Sequence, residues 1–152
     1  MDTSVTLIGL AITALIAVPL YMAMRSNQVS KKRIKAILAQ HPTFQFTQLE
    51  TQNKRTYALD DQQKGFLLID FNPVPEKVSF VNLADIGACK LVPTMSAGDT
   101  TKIELEFLHR DLSRQMVAVY EIEYDQITQV CLHEDQELAK RWQQKIILTL
   151  TK

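Results

Sequence analysis

The sequence predicts an α+β protein: an N-terminal transmembrane helix, then a seven-stranded antiparallel barrel or sandwich capped by a C-terminal helix. Three observations predict it. Residues 5–24, VTLIGLAITALIAVPLYMAM, carry no charge. Short segments of period-two hydrophobicity then follow, separated by turn residues. After His133 the period lengthens, and Leu138, Trp142, Ile146 and Leu150 fall four apart.

The uncharged run matches the bilayer, because a helix of about 20 residues spans roughly 30 Å. Pro19 lies inside it, which membrane helices tolerate. Tyr21 lies near its end, where an aromatic ring suits the headgroup layer. A cleaved signal peptide is the competing reading, but Met1-Asp2-Thr3-Ser4 has no basic side chain. Gly9, Thr13 and Ala17 recur every four residues and offer a stripe where another membrane helix would approach closely.

The next stretch, 25–42, reads as a basic juxtamembrane linker. Arg25, Lys31, Lys32, Arg33 and Lys35 stand there with no acid among residues 25–40. By the positive-inside rule this places the N-terminus outside and the following domain in the cytoplasm, at the inner membrane. The same cluster is a candidate for anionic headgroups. Residues 31–40 read as a short helix that Pro42 ends and that either continues from the anchor or bends away from it along the membrane surface.

Residues 43–152 read as one soluble domain. They hold 12 of the 17 basic residues and 16 of the 17 acids, a net charge of −4. That balance gives no footprint for nucleic acid. Strands are expected at 43–49, with Phe44 and Phe46 on one face, and at 55–59, 65–71, 77–83 and 86–92. A loop is expected at 93–100, where Pro, Ser, Gly and Asp gather. Strand six, 102–107, alternates strictly and turns Ile103, Leu105 and Phe107 inward. In strand seven Met116, Ala118, Tyr120 and Ile122 share one face; Val117, Val119, Glu121 and Glu123 share the other. In the last helix the early acids Glu134, Asp135 and Glu137 suit its dipole, and Glu137 is spaced to pair with Arg141.

Seven strands and a final helix resemble a pleckstrin-homology-like (PH-like) domain. The residues carrying the likeness are the Leu83-Ala84-Asp85-Ile86 step into strand five and Leu138-Ala139-Lys140-Arg141-Trp142 in the helix. With the anchor and linker, the layout resembles small bacterial single-pass membrane proteins with such a domain. The resemblance implies a binding module for lipid headgroups, peptides or proteins. Lipid-binding members use basic residues around the first hairpin; here that turn has Lys54 and Arg55, with Lys64 in the next.

Candidate chemistry is sparse. Cys131 and His133 would share a face if they lay in a strand, the start of nucleophilic catalysis, but no orienting group stands near them. Asp60-Asp61 and Glu134-Asp135-Glu137 lack calcium-loop spacing. The four glycines are scattered and form no phosphate loop. Cys89 and Cys131 read as free thiols. No cofactor, metal or small-molecule substrate is expected. One surface stands out: Glu104 and Glu106 on strand six face Glu121 and Glu123 on strand seven, with Val117 and Val119 as an apolar component. It would suit a basic protein partner unless Lys102 or Lys90 offsets it. The expected function is therefore a membrane-anchored, non-catalytic interaction module, an adaptor or accessory subunit of a membrane complex. The alternative is an anionic-lipid sensing domain; an enzyme is remote.

Overall fold

The structure, a computed structural model, describes residues 3–122 and 129–152. The chain divides into two compact units, 1–42 and 43–152.

The first unit is helix α1 (Thr3–Ala39). The anchor and the linker are one continuous helix, the first of the two courses the sequence allows. The sequence between them, Arg-Ser-Asn-Gln-Val-Ser, holds neither glycine nor proline, so nothing interrupts the i→i−4 ladder. Pro19 lies within it. The helix tightens before stopping: Gln40 N–H donates to Ile37 O and His41 N–H to Leu38 O, both at 3.1 Å. The second of these i→i−3 bonds uses the Leu38 carbonyl, which Pro42, lacking an N–H, cannot pair. α1 is long and apolar enough to cross a bilayer, and the apolar side chains between Val5 and Met24 are exposed.

The second unit is a sandwich of two antiparallel sheets. Strands β1 (Gln48–Gln52), β2 (Arg55–Asp60), β3 (Gly65–Asp70) and β4 (Lys77–Asn82) form the first, in chain order. A 3₁₀ turn, Leu83–Asp85, leads to β5 (Ile86–Ser96), β6 (Asp99–His109) and β7 (Arg114–Glu121), which form the second. Helix α2 (Gln129–Thr151) closes the described chain. Seven strands are therefore present among the described residues, but the expected barrel is not closed: no strand of one sheet is laddered to the other.

Local chemistry explains the turns. Asn53 and Lys54 both have positive φ (49° and 60°), the two-residue turn whose twist matches that of its strands. Ala97 and Gly98 do the same between β5 and β6 (φ 52° and 90°). The expected loop at 93–100 is thus mostly strand. Pro93 sits in β5 because β5 is an edge strand, where a missing N–H breaks no ladder. The expected strand at 43–49 begins only at Gln48. Residues 43–47 form a strap instead, with Phe44 edge-on to Phe80 at 5.0 Å. Phe44 also lies against Gly65 so closely that a Cβ there would collide with its ring.

Facing side chains of the two sheets make the core. Phe66 of β3 meets Phe107 of β6 with ring centroids 5.6 Å apart. From α2, Leu138, Ala139, Trp142 and Ile146 are buried on the same core. Trp142 stacks on Tyr57 at 5.2 Å and an interplanar angle of 23°. Ile103, Leu105 and Phe107 point inward, as their alternation predicts.

Candidate functional site

The outer face of the second sheet holds the acids singled out above. Glu104 pairs in register with Ala118 and Val92, Glu106 with Met116 and Lys90, and Glu121 with Lys102. Cations interleave with them. Lys102 Nζ lies 2.8 Å from Glu104 Oε1 and 3.4 Å from Glu121 Oε1. The bond to Glu104 and its charge hold the Lys102 ammonium above its ordinary pKa, with a smaller contribution from Glu121. Arg114 Nε stands 3.9 Å from Glu106. The face is therefore mixed in charge, as salt-bridged cross-strand neighbours prefer.

Its apolar part is corrected by the structure. Val117 and Val119 are buried in the core, not displayed beside Glu121. The register between β6 and β7 slips by one between Ile103 and Glu104 and leaves Val119 without a partner. This bulge lets Val119 and Tyr120 both point inward and returns Glu121 to the outer face. The apolar side chain displayed beside the acids is Met116, 40% exposed. Glu123 lies outside the described residues.

Arg55 is likewise not at the surface. Its side chain is buried, with Nε 3.1 Å from Asp70 Oδ2 and Nη1 3.6 Å from Asp135 Oδ2. Asn53 Nδ2 donates to Asp135 Oδ1 at 2.8 Å, and Asn72 Nδ2 to Asp70 Oδ1 at 2.7 Å. A guanidinium can be buried only with such partners. Arg55 thus ties β2 and β3 to the start of α2 and is withdrawn from any headgroup. Lys54, one residue away, is exposed. Asp135 therefore acts as a core anchor rather than a solvated helix-start charge. It lies on the same stripe as Leu138, Ala139 and Trp142, the one signal that would have placed it inside.

Glu50, which the sequence did not single out, joins β1 to α2. Its Oε2 accepts from Trp142 Nε1 at 2.9 Å and its Oε1 from Arg141 Nη2 at 3.0 Å. Arg141 thus pairs with Glu50 rather than with Glu137, which takes Lys140 at 2.9 Å instead. Two glutamines bridge open backbone groups at the strand edges. Gln143 Nε2 of α2 donates to Cys89 O of β5 at 3.2 Å, and Gln115 Nε2 of β7 donates to Phe80 O of β4 at 2.9 Å.

The remaining candidates resolve into structural roles. Asp60 is buried and accepts from the N–H groups of Gln45, Gln62 and Gln63, fixing both the strap and the β2–β3 turn. Asp61 pairs with Lys152 at 3.3 Å. Cys131 and His133 stand on α2, not on a strand; two helical residues diverge by about 200°, so they share no face. Both cysteines are free. Burial pushes the Cys89 thiol up to about 12. An open cleft of about 260 Å³ is lined by Asp85, His109, Arg110 and Asp111. Asp111 is engaged there by Ser113, whose hydroxyl and N–H lower its pKa. Among the described residues no group of three His, Cys, Asp or Glu side chains is placed to hold a metal. In α1, Thr13 Oγ1 donates to Gly9 O at 2.7 Å, and Gly9, Thr13 and Ala17 are exposed together.

No known protein family, curated protein or solved structure matches the chain.

Proposed function

We propose that the chain is a membrane-anchored, non-catalytic interaction module: α1 spans the membrane with the N-terminus outside, and the sandwich acts in the cytoplasm as an adaptor or accessory subunit. One observation carries this reading: an apolar helix long enough for a bilayer leads, through three residues, into a separately compact unit at Thr43. The basic residues after the apolar run favour this orientation. Four meandering strands, three more and a final helix fit the PH-like likeness of the sequence. Arg55, Asp70, Asp135 and Asp60 are each engaged in holding turns, strands and helix together, so the surface considered for a partner is the outer face of the second sheet. Glu104, Glu106, Met116 and Glu121 are the surface this reading offers to a partner.

The test is gentle detergent extraction of the tagged full-length chain, with mass spectrometry of what accompanies it. A membrane protein recovered in stoichiometric amount, and lost on charge reversal at Glu104 and Glu121, supports the reading. A chain recovered alone, under conditions that preserve other membrane complexes, overturns it.

A further inference from the structure

The unbroken course of α1 gives its basic residues a defined geometry. At 1.5 Å per residue, Lys31 lies about 10 Å beyond Met24 along the axis, and Lys35 about 17 Å. Both distances are counted after Pro19, so a bend there leaves them unchanged. The headgroup layer on one side of a bilayer is roughly 5–8 Å deep. Lys31 therefore stands within about one helical turn of its outer edge and Lys35 about two turns beyond it, as a collar. Long lysine stems let the ammonium groups of Lys31 and Lys32 reach back toward the phosphates. Lys35, about 9–12 Å beyond the layer, lies just past one Debye length at physiological salt, roughly 8 Å, and well within it at low salt.

The collar is one-sided. At 100° per residue, Arg25, Lys31, Lys32 and Lys35 fall within an arc of about 120°, and Arg33 lies outside it. All five side chains are exposed. Residues 25–40 contain no acid, and no ion pair to Lys31, Lys32 or Lys35 occurs among the described residues. Ile34, Ile37 and Leu38 occupy a different arc.

We infer that this collar recruits anionic lipid headgroups to the leaflet it faces, independently of any partner of the sandwich. It does so chiefly through Lys31, Lys32 and Lys35. The attraction is electrostatic and reached across water, so it weakens as salt rises.

The full chain is placed in bilayers of about 30% phosphatidylglycerol in phosphatidylcholine, and spin-labelled lipids report which headgroup its first shell prefers. A clear preference for the anionic lipid is expected at low salt, diminishing as salt is raised. The triple variant Lys31→Gln, Lys32→Gln, Lys35→Gln should abolish it, and glutamine keeps the helix because its propensity equals that of lysine. A charge-matched control, Lys77→Gln, Lys90→Gln, Lys140→Gln, removes three exposed cations from the sandwich and should leave the preference intact. No preference in the native chain, or a preference that survives the collar variant, overturns the inference. Loss in both variants overturns it as well, since the sandwich would then contribute the charge.

Discussion

Trp142 concentrates the residue-scale energetics. It is fully buried, stacked on Tyr57, and its indole N–H reaches Glu50. Trp142→Ala should cost about 3–5 kcal/mol in denaturant unfolding, as for other buried aromatics; a loss under about 1 kcal/mol would mean that α2 is not held as described. Asp135→Ala should be comparably severe, about 3–5 kcal/mol, since it removes a partner of a buried guanidinium. Cys89 gives a pH signature. Its folded pKa, about 12, lies above the ordinary value of 9.0, so the unfolded chain loses this proton first. Its contribution to stability is complete below about pH 9 and declines as pH rises toward 12. Burial of Tyr57 raises its pKa too and acts in the same direction. Unfolding measured from pH 8 to 11 should show falling stability, with a shallower slope in Cys89→Ala. An unchanged slope would refute the burial account of this thiol.

Elements were legible in the sequence to very different degrees. β6 read correctly because its alternation is strict and one face is wholly buried. α2 read correctly from Leu138, Trp142 and Ile146, yet its start lay earlier than the period suggested. β5 ran past the point where Pro93 seemed to end it, because a proline signal cannot tell a strand's end from a sheet's edge. β7 was misread in phase, because a bulge leaves no mark in composition: Val117, Val119 and Tyr120 look like an error in alternation until the unpaired Val119 is seen. The strap at 43–47 alternates like a strand and is none. Its reason is tertiary: Phe44 packs on Gly65 and Phe80. Gly65→Ala should therefore cost about 1–3 kcal/mol by overpacking. Combined with Phe44→Ala the two losses should fail to add, and strict additivity in that cycle would show that the ring and the glycine do not meet.

For the whole molecule, the candidate site was the least legible part. Charge and spacing pointed to Glu104, Glu106 and Glu121 and offered Lys102 and Lys90 as offsets; cross-strand register places both on that face and adds Arg114, which spacing did not suggest. Arg55 looked like one more surface cation, and its partners Asp70 and Asp135 are 15 and 80 positions away in sequence. Such pairings are set by packing, which one sequence does not display. Reversing Glu104 and Glu121 to lysine should change thermal stability little, within about 1 kcal/mol per lost pair, while removing any partner held by that face. A large drop in melting temperature would instead make these residues part of the scaffold.

The bulge at Val119 also bears on how this fold tolerates changes in chain length. Removing Val119 would leave Val117 inward, Ala118 outward, Tyr120 inward and Glu121 outward, a regular strand with every remaining facing kept. Removing a residue from β3, whose ladder to β2 and β4 has no such slack, would turn part of that strand inside out. β7 is thus a place in the sandwich where a lineage could lose one codon and keep the fold.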